Sequence, residues 1–140
     1  IFIVKYHYLV SDKIDWTPYK GFVYTFDETK DIAWLYLVSD MLITDYSSVM
    51  FDYSILNRPM LFFAYDLEDY KENLRGFYFD FVNDIPGPIS RDTDQLIKDI
   101  KEYNEDSWKE KYKNYHDKFN GIDDGHASQK VIDVIKKVSR

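Results

Sequence analysis

The sequence contains no cysteine, so disulfides and thiolate metal sites are excluded within it. Histidine is scarce as well: His7, His116 and His126 are scattered along the chain, no metal-binding spacing is legible, and neither a metal nor a cofactor is expected. No apolar stretch approaches the ~20 residues that a membrane-spanning helix needs. Basic charge is in deficit, with 18 Lys and Arg against 25 Asp and Glu and a net charge of −7. That balance argues against nucleic acid as a partner, because a phosphate-backbone binder presents a basic stripe. A phosphorylated small molecule stays open, since it requires only a local site. Internal repeats, low-complexity segments and an interdomain linker are missing too.

What the chain does have is the material of a core. Hydrophobic residues make up 45% and aromatic residues 19%, which in 140 residues supports one folded domain spanning 1–140. The chain opens without methionine on Ile1-Phe2-Ile3-Val4 and reads as a piece of a longer protein, cut just before or inside a strand.

The pattern is organised around the stretch from Leu42 to Tyr53. Residues 40–44 are too short and too apolar for a helix and read as a buried strand. Beyond Thr44-Asp45-Tyr46-Ser47-Ser48, the residues Val49, Tyr53 and Leu56 recur at helical spacing, with Phe51 and Ile55 as a second stripe, so a mostly buried helix is expected. Asn57-Arg58-Pro59 stops it. The first turn of such a helix leaves N–H groups unpaired at the positive end of its dipole. Asp45 or Ser47 serves there as an ordinary N-cap, or the paired hydroxyls of Ser47 and Ser48 hold a phosphate. Both readings are compatible with the spacing.

Further strands are expected at 1–5, 21–26 and 59–64, and a short helix from Ile32 to near Ser39. Strands that alternate with single helices imply parallel pairing through right-handed crossovers. The expected class is α/β, a Rossmann-like parallel sheet with helices on both faces, which suits strands that read as solid apolar runs. His7 lies just past the carboxyl end of the first strand, where open α/β sheets place their ligands. Taken alone, a histidine in such a place is more often a hydrogen-bonded turn residue than a catalyst. Residues 8–20, with Ser11-Asp12-Lys13, Trp16 and Pro18, form a loop, and Asp27-Glu28-Thr29-Lys30-Asp31 a polar turn.

Residues 66–74 suggest a helical turn or two, the aromatic run 75–81 has no clear class, and Ile85-Pro86-Gly87-Pro88-Ile89 is a rigid turn. Helices follow from about Asp92, its N-cap, to Glu102, and from about Asp106 to Phe119, closed by Asn120-Gly121. Asp123-Asp124-Gly125-His126-Ala127-Ser128 is a second acidic-and-serine helix start. It leads into a packed stripe of Val131, Ile132, Val134, Ile135 and Val138, with Lys136, Lys137 and Arg140 at the negative end of the dipole.

Several of these groups, in this order, carry a resemblance: Lys5-Tyr6-His7, the block from Ile43 to Asp52, the stretch from Arg58 to Asp66 with Tyr70, Arg75-Gly76-Phe77-Tyr78, Pro86-Gly87-Pro88, and Asp124 to Ser128. Together they resemble the carboxyl-terminal part of the CDP-glycerol glycerophosphotransferases, the teichoic acid primases and polymerases, with their ribitol-phosphate relatives. The resemblance covers nearly the whole chain. It implies the donor-binding half of a GT-B type transferase, an enzyme that moves a polyol phosphate from CDP-glycerol or CDP-ribitol onto a lipid-linked or polymer acceptor, in teichoic acid or related cell-surface polymer biosynthesis.

Carried over by position, Thr44, Asp45, Ser47 and Ser48, with Asp124, Gly125 and Ser128, face the donor, the serines meeting its pyrophosphate. His7 takes the place of the family's catalytic histidine, as general base or as stabiliser of charge on the transferring group. Arg75 is the candidate clamp, because a guanidinium matches phosphate bidentately; a surface arginine is its plain alternative. Tyr8 stands where the family has proline, which leaves the orientation of His7 without its rigid turn. The resemblance also implies a cytoplasmic protein, peripheral at the inner face of the bacterial membrane, and a fragment inactive on its own. Two rivals are the half of a GT-B glycosyltransferase with another nucleotide sugar, and a non-catalytic Rossmann-like interaction module whose serines are only caps.

Overall fold

The computed structural model describes residues 1–7, 14–27, 29–74 and 76–139. Tyr8, the Ser11-Asp12-Lys13 segment, Glu28, Arg75 and Arg140 lie outside the described residues. The chain divides into two compact units, Ile1–Ser39 and Asp40–Arg140.

The first unit holds β1 (Phe2–Val4) and β2 (Val23–Thr25), which pair in parallel with Phe2 opposite Val23 and Val4 opposite Thr25. Bonds from Phe2 N–H to Phe22 and from Phe26 N–H to Val4 extend the ladder at both ends. The expected loop contains a short 3-10 turn at Thr17–Tyr19 with Pro18 as its second residue, whose fixed φ suits a first helical turn. Helix α1 (Ile32–Val38) begins where the Asp31 carboxylate accepts the Ala33 N–H at 2.9 Å. The buried strand expected at 1–5 is corrected by the accessibilities: Ile1, Phe2 and Ile3 are all exposed. Apolar β-branched sequence sets the strand; it does not supply the layers that would cover it.

The second unit is built on three parallel strands in sequential order, β3 (Leu42–Thr44), β4 (Met60–Phe63) and β5 (Ile89–Ser90). Central β4 has neighbours on both edges, and Met60, Leu61 and Phe62 are completely buried. Its solid apolar run is what a strand enclosed on both faces requires. Asn57, at φ 51°, turns the chain out of helix α2 (Val49–Ser54), and Pro59 gives its carbonyl to Leu42 N–H at 2.9 Å.

Helix α3 (Leu67–Asp69) continues into a π-turn at Tyr70–Leu74. The unclassified aromatic run then ends in α4 (Phe81–Asp84), whose N-cap Asp80 accepts from Asn83 N–H. Helix α5 (Thr93–Lys101) starts on the expected Asp92 cap, which accepts from Gln95 N–H at 2.8 Å. Helix α6 (Glu105–Phe119) packs an aromatic seam on α2: the Phe51 ring stacks with Tyr115 at 5.8 Å and meets Phe119 edge-on at 5.1 Å. Buried Asn120 closes α6 by its side chain, donating to the Phe51 carbonyl at 3.0 Å while its Oδ1 lies 2.8 Å from Ser54 Oγ.

Helix α7 (Ala127–Val138) forms as the periodicity predicts, yet its stripe is not packed. Val131, Ile132, Val134, Ile135 and Val138 are all exposed. Amphipathic spacing specifies a helix with an apolar side; whether another layer meets that side is a separate matter.

Candidate functional site

In the parallel sheet of the second unit the strands leave from one edge, so the segments that follow β3, β4 and β5 share the carboxyl end. Thr44 is the last residue of β3, opposite Phe62. Immediately beyond it the Asp45 carboxylate accepts the Ser47 N–H at 2.9 Å, a side-chain turn two residues wide. Neither Asp45 nor Ser47 is therefore the N-cap of α2. That position falls to Ser48, whose backbone is already helical and whose hydroxyl makes no capping bond. Phe51 N–H reaches the Ser48 carbonyl and Met50 N–H the Ser47 carbonyl, so the chain curls into α2 directly from the turn. Ser48 is exposed and Ser47 half-buried.

Tyr46 anchors this loop from within. Its hydroxyl donates to Asp66 Oδ1 at 2.8 Å, which ties the segment after β3 to the one after β4. Its ring stacks on Tyr70 with centroids 4.2 Å apart and contacts Phe77 at 5.6 Å and Phe81 at 5.5 Å. Burial, then the hydrogen bond to the Asp66 carboxylate, pushes the phenol above its usual range, so it stays a donor. With its ring face occupied by Tyr70, Tyr46 braces the loop and is not a free stacking platform.

The second serine-bearing turn repeats the device. Asp124 Oδ1 accepts the His126 N–H at 3.0 Å, and its Oδ2 lies 2.9 Å from Lys130 Nζ. Gly125 sits at φ +77°, a backbone state that L side chains rarely adopt. His126 is the N-cap of α7 and makes no side-chain capping bond; Ser128 lies in the first turn and is exposed. The bond from Lys130, followed by that from the His126 amide, holds the Asp124 carboxyl below its ordinary value. A depressed carboxyl favours the folded form above the unfolded pKa and loses that contribution as pH falls through the folded one. Lys130→Ala is accordingly expected to move the Asp124 titration upward, toward the model-peptide value near 3.9. A carboxyl-detected NMR titration checks this, and an unchanged midpoint would assign the shift to the turn alone.

The structure thus gathers Thr44, Asp45, Ser47 and Ser48 into one loop and Asp124, Gly125 and Ser128 into another. Both belong to the unit 40–140. At the far end of α2 Ser54 makes a buried contact with Asn120, and Asn120 Nδ2 reaches on to Asp123 Oδ2 at 3.4 Å, just before Asp124. His7 belongs to the other unit, three residues beyond the end of β1, and is exposed. Nearby, the Tyr6 hydroxyl accepts from Trp16 Nε1 at 2.6 Å and from Ile14 N–H at 3.2 Å. Arg75 lies outside the described residues.

Two charged residues at the carboxyl end were not foreseen as site residues. Asp66 escaped because its partner Tyr46 is 20 positions away. Arg91 escaped because β5, which delivers it, is only two residues long. Asp66 closes a stretch that carries the resemblance, but nothing local gives it a partner, and no local pattern marks Arg91.

The second unit is a parallel α/β assembly of the kind that meets ligands in the segments beyond its strand ends. The chain belongs to the CDP-glycerol:poly(glycerophosphate) glycerophosphotransferase family, whose model matches residues 1–137. It is 45% identical over 139 residues to a teichoic acid poly(glycerol phosphate) polymerase of Bacillus subtilis, covering 98% of this chain and 19% of that protein. With a teichoic acid poly(ribitol-phosphate) polymerase of Bacillus spizizenii it shares 42% over 147 residues, 96% of this chain and 22% of the other. Among solved structures it resembles a histidine-to-asparagine variant of the wall teichoic acid polymerase TagF after a 15 minute soak with CDPG. The TM-score is 0.82 at 42% identity, over 96% of this chain and 34% of that one. The α/β class expected from the sequence is the one found. The chain spans about a fifth of the length of the two curated relatives.

Proposed function

We propose that residues 1–140 make up the donor-binding domain of a polyol-phosphate transferase, the carboxyl-terminal half of a GT-B type enzyme that takes CDP-glycerol or CDP-ribitol. The acceptor is a lipid-linked or polymeric chain, in teichoic acid or related cell-surface polymer biosynthesis. It works with a cleft that needs a second half, and in that role the parent protein acts in the cytoplasm, peripherally at the inner membrane face.

The observation that carries the reading is the loop at the carboxyl end of β3. Asp45 fixes its shape through the Ser47 amide, Tyr46 pins it to Asp66, and the Ser48 hydroxyl makes no capping bond. A hydroxyl at a helix start that does no capping suits an oxygen-rich ligand at the positive end of the helix dipole. In this reading Ser47, Ser48 and Ser128 converge on the pyrophosphate, with Gly125 allowing close backbone approach, and Thr44, Asp45 and Asp124 shape the two turns. An acidic protein holds a polyanion in this way through amides and hydroxyls rather than through a basic surface. Arg75 adds a clamp. His7 acts at the transferring phosphoryl group, as base toward the acceptor hydroxyl or as stabiliser of its charge.

The test is isothermal titration of the chain with CDP-glycerol, CDP-ribitol, CDP, UDP and GDP. Cytidine donors are expected to bind, and Ser47→Ala/Ser48→Ala to weaken them by about 10-fold or more, one lost charge-assisted contact being worth roughly that factor. A preference for UDP or GDP would transfer the chain to a different donor class. Absence of any nucleotide binding would sink the reading.

A further inference from the structure

We propose that Arg91 grips the donor's phosphates at the carboxyl end of β3, β4 and β5, with Glu68 as the exchange partner of its guanidinium. The proposal rests on the reading of this chain as a donor-binding domain and adds a residue to it.

The register supplies the placement. Ser90 pairs with Phe63 and Thr44 with Phe62, so Arg91 and Asp45 leave the sheet from the same edge, one on each side of β4. Strands in a sheet lie about 4.8 Å apart, which puts these departures roughly 10 Å from each other. An arginine side chain and a pyrophosphate together span that gap. The positive charge of Arg91 is also felt at the Tyr46 hydroxyl, between Asp45 and Ser47.

The surrounding charge gives the reason. Asp45, Asp66, Glu68 and Asp92 all follow the ends of these strands, so a polyanion approaching the serine loop meets carboxylates. A guanidinium in their midst reverses the local balance. Arg91 is suited to it because its contact is loose: Nη2 meets Glu68 Oε1 at 3.2 Å, with the two side chains 44% and 69% exposed. Exposed pairs of this kind are weak and readily exchanged. The guanidinium carries five donors in a planar fork, which matches phosphate oxygens bidentately and leaves donors beyond the one given to Glu68.

The experiment compares the 140-residue chain with Arg91→Ala, Arg91→Lys and Glu68→Gln, folding being verified by circular dichroism. CDP-glycerol binding is measured by isothermal titration, and cytidine, the probe without phosphate, by saturation-transfer NMR. Arg91→Ala is expected to weaken CDP-glycerol by about 10- to 100-fold with cytidine unchanged. Arg91→Lys, which keeps the charge without the fork, falls between, and Glu68→Gln binds the donor a few-fold more tightly. If Arg91→Ala holds CDP-glycerol within about twofold of the unaltered chain, or weakens cytidine equally, Arg91 is no phosphate contact and the donor site stands without it. No tightening in Glu68→Gln removes the exchange role of Glu68. If the unaltered chain binds no CDP-glycerol, the donor reading and this proposal fall together.

Discussion

Gly87→Ala is expected to be among the most damaging single changes in this chain, at a cost of more than about 3 kcal/mol. An added Cβ at Gly87 would lie 2.0 Å from the carbonyl oxygen of Met60 and 2.9 Å from its carbonyl carbon, with the Phe62 ring at 3.3 Å. The two Met60 atoms are backbone of the central strand and cannot swing aside as a side-chain tip would. Gly87 is not among the glycines at positive φ, so the requirement is one of room between two stretches of backbone. The turn also feeds β5, since Phe62 N–H donates to the Pro88 carbonyl at 3.0 Å, and a shift there pulls β5 off the sheet. A domain of this size has roughly 5–15 kcal/mol in hand. Thermal melts followed by circular dichroism are expected to drop by ~10 °C. Gly125→Ala is the control: nothing lies within 4 Å of its Cβ, and only the φ of +77° is unfavourable. Equal losses in the two variants would show that the contact with Met60 does not govern.

Phe81→Ala comes next, with an expected loss of about 3–5 kcal/mol. Phe81 is 2% exposed and stands where several rings meet: stacked on Phe77 at 4.7 Å, edge-on to Phe62 at 5.6 Å and to Tyr46 at 5.5 Å. Truncation opens a cavity between the central strand and the serine loop. Because one wall of that cavity is Tyr46, weaker CDP-glycerol binding is expected at temperatures where the variant is still folded. Phe81→Leu retains most of the volume and is expected to recover most of both losses. Urea midpoints for the two variants decide it; a loss under about 1 kcal/mol in Phe81→Ala would mean the rings collapse to fill the space.

What could be read from the residues was mostly local. The break of an apolar run at Thr44-Asp45, the Asp92 cap and the tyrosine-rich pattern of α6 each lie within a few positions of what they cause, and each element stands where expected. Strand β5 escaped because two residues carry no period, and it exists only through pairing with Phe62 and Phe63. Helix α4 went unread because it starts at the last residue of an aromatic run that showed no period, and it is only four residues long. The exposed stripe of α7 and the open face of β1 show the opposite failure, where the pattern was right and the covering was assumed.

The same division holds at the candidate site. The serines were found because they sit next to one another in sequence. The capping role read for Asp45 was misplaced, because capping and a two-residue side-chain turn use the same residue type and differ only in which amide is reached; Asp124 makes the same turn with the His126 amide. Tyr46 with Asp66, and Arg91 with Glu68, are pairs across the sheet edge, and nothing in a one-dimensional pattern announces them.

The carboxylate of Asp45 on the Ser47 amide has one more consequence. A surface loop ordinarily surrenders conformational freedom when a molecule settles on it, and that loss is subtracted from the affinity. Here the folded chain has already immobilised the loop, with its own acid below and the Tyr46 ring wedged among aromatic neighbours. Whatever docks at this edge meets a loop that is already shaped, so less of its affinity is lost to ordering that loop.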